Sequence, residues 1–191
     1  MPITIGAKRE SDFTDPIGML GDCHRRIERF LNVLVVIAAQ EKGGRLTEQH
    51  RTALATSLRY FREAAPKHTA DEEESLFPRL RQLRHAGSHA ILTRIEALEQ
   101  DHECAGKVHD EVDRLGQLWL TMGHLSTKEA AQLSTLLDQL AKLYRSHIAI
   151  EDTEVFPFAA SVLPPSDRES VGAEMATRRG AGIAVSMFKS R

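Results

Sequence analysis

The histidines and carboxylates of this chain fall into a pattern that occurs twice. His68-Thr-Ala-Asp-Glu72 is followed by Phe77-Pro78, and His147-Ile-Ala-Ile-Glu151 by Phe156-Pro157, so in each copy the Glu stands four residues and the Phe nine residues after the His. On a helix, residues four apart lie on one face, one turn from each other. An imidazole and a carboxylate presented together form a ligand pair for a transition metal. Each copy also has an upstream histidine: His24 precedes His68 by 44 residues and His102 precedes His147 by 45. Corresponding positions of the two halves are 78 or 79 residues apart, a period that points to a repeated helical hairpin.

The elements that must carry these residues read as helices throughout. Asp15-Pro16 is a helix start, Asp as cap and Pro in the first turn. From there Ile17, Leu20, His24, Ile27, Leu31, Leu34 and Ala38 recur every three or four residues, the buried seam of an amphipathic helix that Lys42-Gly43-Gly44 ends. A second helix is expected from Thr47 to about Leu83, bent but not stopped at Pro66. A loop around Gly87 leads to a third helix over 88–122, and Ser126 or Thr127 caps a fourth, which runs toward Pro164-Pro165. Ser166-Asp-Arg-Glu169 has the spacing of a capping box for a short fifth helix to about Arg178. No alternating apolar run long enough for a strand occurs. The expected fold is all-α, an antiparallel up-down-up-down four-helix bundle with a short C-terminal extra helix. Its parts are an N-terminal arm (1–15), the bundle (16–160), and the C-terminal helix with its tail (161–191).

Composition narrows the function. Of 191 residues 41% are hydrophobic and 27% charged, as in an ordinary soluble globule, and the formal charge of −2 offers no basic field to nucleic acid. The longest purely apolar run, Val33 to Ala39, is far too short to span a bilayer, so no membrane partner is expected. No basic stretch followed by an apolar one opens the chain, and two cysteines make no disulfide framework; a cytoplasmic location is the default.

His24, His68, Glu72, His102, His147 and Glu151 all fall on predicted seams. Burying two carboxylates and four imidazoles without partners costs on the order of several kcal/mol per unpaired charge, and metal ions remove most of that penalty. Mixed imidazole and carboxylate ligation suits non-haem iron, with manganese or zinc as possible substitutes. If both Glu bridge, each of two ions receives two His and two carboxylate oxygens, with positions left for solvent, oxygen, peroxide or nitric oxide. Tyr144, on the same seam as His147, is either core packing with a satisfied hydroxyl or a residue that lines the ligand pocket. His109 is expected to be a hydrogen-bonded core histidine, and His50 and His124 to be exposed. His85 and His89, around Gly87, are not expected to be ligands, nor is Glu99, although Glu99-x-x-His102 matches a ferritin-like motif. Cys23 and Cys104 are expected to point away from the seams. The acidic run Asp71 to Glu74 is expected to be a solvated face, Glu72 excepted.

The six-residue pattern resembles the hemerythrin-like family of HHE cation-binding domains, over roughly residues 15–160. The resemblance implies a di-iron centre, oxo- or hydroxo-bridged, with Glu72 and Glu151 as bridges, His24 and His68 on one iron and His102 and His147 on the other. Oxygen-carrying members have a fifth histidine four residues after the third-helix one, where this chain has Gly106, and their last carboxylate is an Asp spaced one residue further. The four-His, two-Glu set is more similar to iron-centre repair proteins, as is the segment Val171 to Gly180. The implied function is binding of, or reaction with, O2, NO or peroxide, with NO or peroxide ahead of oxygen carriage. An iron- or redox-responsive sensor and a store or donor of iron are the alternatives, and whether the protein is an enzyme is left open.

Overall fold

A computed structural model of the chain describes residues 10–83 and 88–181. Among these residues there are helices and no strands. They are α1 (Pro16–Glu41), α2 (Glu48–Glu63), α3 (Ala65–Ala70), a π-helical segment (Asp71–Leu76), α4 (Phe77–Gln82), α5 (Ser88–Met122), α6 (Thr127–Ile150), a second π segment (Glu151–Val155), α7 (Phe156–Val162) and α8 (Pro165–Arg178). None is long and apolar enough to cross a membrane.

Local chemistry sets most boundaries as expected. Asp15 accepts a hydrogen bond from the Gly18 amide at the start of α1, and left-handed Lys42 (φ 47) and Gly43 (φ 78) end that helix. Ser126 and Glu129 cap the start of α6 reciprocally, the side chain of each accepting from the backbone of the other. The second predicted helix is broken at Ala64 and resumes at Ala65, with Pro66 in the first turn of α3. Pro66 has no N–H to return to the preceding turn. One expected cap does not form: α8 begins at Pro165, after Pro164, with no side-chain cap. Proline has already taken the first helical position, so Ser166 sits inside the helix instead of before it.

The two π segments are not visible in the apolar period. In each, the Phe of Phe-Pro donates its N–H back five residues, Phe77 to the Glu72 carbonyl and Phe156 to the Glu151 carbonyl. Pro78 and Pro157, next in the chain, have no N–H to donate, and the turn before each is widened. The repeated Phe-Pro therefore marks a local backbone feature, and each π segment carries one of the two repeated Glu.

α1 packs on α2 and α6, and α5 packs on the same two helices. The Leu125 amide donates to the Gly43 carbonyl at 2.7 Å, and Trp119 Nε1 to the Gly44 carbonyl at 2.7 Å, which ties the end of α1 to the α5–α6 link. Two apolar clusters fill the interior. One includes Ile27, Leu58, Phe61, Ala105, Trp119 and Leu140; the other includes Leu20, Leu76, Phe77, Leu98, Val155 and Met175. Along every helix the repeated His and Glu lie between members of the first cluster and members of the second. The polar belt is thus held between two apolar blocks, each buried Leu of which stabilises the fold by about 1.5–3 kcal/mol.

α8 rests against the first π segment and α1. Val171 and Met175 enter the second cluster, which Phe13 from the N-terminal arm also joins. A Cβ on Gly172 would lie 2.0 Å from the Phe13 carbonyl oxygen, so only glycine admits this approach. Two expectations are corrected here. Asp71 is fully buried, not solvated: Arg178 Nη1 and Arg179 Nη2 each donate to it at 2.6 Å. Cys23 is also buried, with Arg26 Nη2 3.2 Å from its sulfur, whereas Cys104 is exposed.

Candidate metal centre

α1, α3 with its π segment, α5, and α6 with its π segment bring all six predicted residues to one place. The ligand atoms of His24, His68, Glu72 and Glu151 lie within 4.8 Å of one another, and so do those of Glu72, His102, His147 and Glu151. Both carboxylates belong to both groups. Glu72 Oε1 is 3.2 Å from His68 Nε2 and 4.0 Å from His24 Nε2, while its Oε2 is 3.4 Å from His102 Nε2. Glu151 Oε2 is 3.0 Å from His24 Nε2 and 3.2 Å from His147 Nε2. Each carboxylate therefore faces histidines of both groups.

The donor set fits cations better than it fits itself. Glu72 and Glu151 are 0% exposed, yet none of their four oxygens accepts a hydrogen bond of proper geometry, nor does His24 Nε2 take part in one. Unpaired buried groups of this kind are costly and rare. His102 Nε2 and His147 Nε2 stand 3.1 Å apart. With the ring protons on their Nδ1 atoms, two lone pairs face each other, an arrangement that repels unless a cation lies against both.

Carboxylates outside the six fix that ring orientation. His24 Nδ1 donates to Asp152 at 2.8 Å and His102 Nδ1 to Glu73 at 2.9 Å, and His147 Nδ1 faces Asp101 at 3.4 Å. A proton held at Nδ1 leaves the Nε2 lone pair for a metal and raises its basicity. Sequence reasoning missed these three, although a signal was present. Glu73 and Asp152 directly follow Glu72 and Glu151 and share their 79-residue offset, so each His-x-x-x-Glu motif is in fact His-x-x-x-Glu-acid. The acids cross over: Glu73 of the first half serves His102 of the second, and Asp152 of the second serves His24 of the first. His68 Nδ1 has no such partner. Asp152→Asn and Glu73→Gln are each expected to weaken metal binding about 10- to 100-fold, read by competition with a chelator. Unchanged affinity in both would show that ring orientation is set elsewhere.

Electrostatics within the cluster are uneven. Burial opposes the charged form of His24, but the hydrogen bond to Asp152, the close approach of Glu151 and the nearby carboxylate charges outweigh it and lift its pKa to about 10. Burial drives the His68 imidazole well below its ordinary range, so it is neutral. Burial, with the Glu151 charge behind it, pushes the Glu72 carboxyl well up. Glu151 also meets burial, which acts to raise it, but the imidazoles of His147 and His24, 3.2 and 3.0 Å from its Oε2, hold it well down. One carboxylate ionises at the expense of the other, and divalent cations would let both do so.

The remaining candidates sort clearly. His109 Nε2 and the Tyr144 hydroxyl are hydrogen-bonded at 2.9 Å, and His109 stacks on Phe61 with ring centroids 4.5 Å apart. His109 is hydrogen-bonded as expected but half-buried, not fully in the core, and Tyr144 both has its hydroxyl satisfied and lines a cavity with the four site histidines. Glu99 pairs with Arg81 at 2.6 Å, not with the cluster. His89 is exposed in the first turn of α5, His85 lies outside the described residues, and His124 is exposed. His50, expected to be exposed, is half-buried against Glu41.

Burial lowers the His109 pKa to about 4. The unfolded chain takes up this proton below about pH 6.5 and the folded chain only below about pH 4. His109 therefore contributes fully above pH ~6.5 and loses up to about 3 kcal/mol as pH falls to about 4. His109→Gln is expected to lack that slope, measured as the parent-minus-variant difference in urea unfolding at several pH values. Equal pH dependence in the two would contradict it.

A helical protein with a buried, repeated His and Glu cluster of this kind is a cation-binding protein. The hemerythrin HHE cation binding domain matches residues 15–159. The chain belongs to that family. An uncharacterized protein of Haemophilus influenzae is 26% identical over 168 residues, which cover 87% of this chain and 91% of that protein.

Proposed function

We propose that the chain is an antiparallel up-down-up-down bundle that holds two iron ions between His24, His68, His102, His147 and the bridging carboxylates Glu72 and Glu151, and that this centre binds or reacts with O2, NO or peroxide. The observation that carries the reading is the sharing of two fully buried carboxylates, with four unpartnered oxygens, between two ligand groups. Four neutral histidines and two carboxylates against two divalent ions leave a charge of +2, which an oxo or hydroxo bridge or a bound anion can balance. The alternating helix direction is supported by the ties between the end of α1 and the α5–α6 link.

Bound iron supplies redox chemistry and open coordination positions. The chain's own residues do the rest. Asp152, Glu73 and Asp101 hold three imidazole rings with Nε2 turned inward. Phe156 stacks on His24 with ring centroids 5.2 Å apart, which fixes that ring from its other side. Ile27, Phe61 and Ile148 give the cavity beside the histidines an apolar wall. The test is an optical titration of iron-supplied protein from anaerobic to aerobic conditions, followed by NO and by peroxide. Rapid gas evolution with peroxide marks a catalase-like enzyme, and a stable, reversible oxygen band marks a carrier. No spectral response to any of the three would overturn the reading.

A sensing role is a second reading, favoured by one contact. Asp71, the neighbour of Glu72, is gripped by Arg178 and Arg179 at the end of α8. A shift at Glu72 on metal or ligand binding would pull on that helix.

A further inference from the structure

We propose that small uncharged molecules reach the four histidines through a channel between the α2–α3 junction and α5, held open by the missing side chain of Gly106; this rests on the function proposed above. A cavity of about 320 Å³ touches His24, His68, His102 and His147 at its inner end. Its exposed lining residues, Arg62, Pro66, Gly106 and Asp110, lie on two facing elements and define a mouth.

Gly106 is the residue that needs a reason. It sits in the middle of a 35-residue helix, where glycine is the least favourable residue after proline. The other glycine in the interior of α5 has a packing reason, since a Cβ on Gly116 would lie 2.5 Å from Leu58 Cδ1. A Cβ on Gly106 would meet nothing within 4 Å. No neighbour demands glycine there, and what its absent side chain leaves is the opening itself. Ala105 and Ala65, both small and buried, continue the narrow wall inward, and the break at Ala64 before Pro66 sets the opposite rim.

The wall selects for uncharged molecules. Between the mouth and the site histidines it is formed mainly by Ile27, Phe61, Ala65, Ala105 and Ile148, with Thr69 beside them and with His109 Nε2 and the Tyr144 hydroxyl bonded to each other. At the mouth Arg62 is engaged by Asp113 at 2.8 Å. A dissolved diatomic gas crosses such a wall without losing strong hydration, and an anion does not.

The experiment compares the full-length iron-supplied parent with Gly106→Leu and Gly106→Trp. Both replacements favour the helix and meet no neighbour at Cβ, and the rates are compared per bound iron, with iron content and thermal midpoint measured for each variant. The rate of NO combination in stopped flow is expected to fall at least tenfold, more for Trp than for Leu. Unchanged rates at unchanged iron content would overturn the channel. A parent that binds iron but responds to none of O2, NO and peroxide would sink the function proposed above and leave the channel to a second readout. In zinc-supplied protein, dissolved O2 is expected to broaden the methyl resonances of Ala65, Ala105 and Ile27, and Gly106→Trp to abolish the effect. Equal broadening in parent and variant would overturn the proposal independently of any reaction at iron.

Discussion

Glu72→Ala and Glu151→Ala, made separately, are each expected to hold well below two irons per chain, because each carboxylate belongs to both ligand groups. Removing a side chain that served one ion would leave the other ion intact, whereas removing a shared one weakens both. The effect on stability should depend on metal. With iron supplied, the parent gains from ligand binding to the folded state alone, and the variants lose that gain, seen as a lower thermal midpoint. Without metal, Glu72→Ala is expected to be no less stable than the parent, because it removes a fully buried carboxyl that burial and the Glu151 charge disfavour as an ion. Glu151→Ala is expected to cost stability, because it strips His24 and His147 of the carboxylate beside them. Iron content equal to the parent's in both variants, by elemental analysis, would count against bridging.

The second large effect lies outside the ligands. Arg178→Ala/Arg179→Ala is expected to destabilise the fold by about 3–5 kcal/mol, the range for stripping a buried ion of its partners. Asp71 is 0% exposed and receives Arg178 Nη1 and Arg179 Nη1 at Oδ1 and Arg179 Nη2 at Oδ2. With both arginines gone, that carboxylate is left buried and unpaired. Either single replacement should cost less, because one guanidinium remains. Adding Asp71→Asn to the double variant should recover part of the loss, since an unpaired amide is less costly than an unpaired charge. Urea unfolding of the parent, double and triple variants measures this, and a triple variant no more stable than the double would show that packing of α8, not the ion pair, is what matters.

The candidate site residues were readable because metal ligation would impose a spacing. To share an ion, His68 and Glu72 would have to stand one helical turn apart, and so would His147 and Glu151; the two hairpins repeat that spacing at 79 residues. The seams were readable for the same reason, being a helical period of apolar residues. What failed to show depended on partners distant in sequence or on the backbone. Asp71 looked like one more surface acid because the arginines that bury it follow 107 and 108 residues later. The π turns leave the ligand spacing intact and act after it, through the missing donors of Pro78 and Pro157. Glu73 and Asp152 did carry a signal, the repeat itself, but an acidic run reads as solvated until the histidine it serves is known to come from the other hairpin.

Counting and characterising the ions on one folded chain tests the shared-carboxylate centre most directly. Protein supplied with excess ferrous iron, freed of loosely held metal and analysed by elemental analysis together with Mössbauer spectroscopy, is expected to carry two irons per chain as a magnetically coupled pair, one for each ligand group. A fully folded chain that keeps one iron or none, or two that show no coupling, would contradict a centre built on shared Glu72 and Glu151.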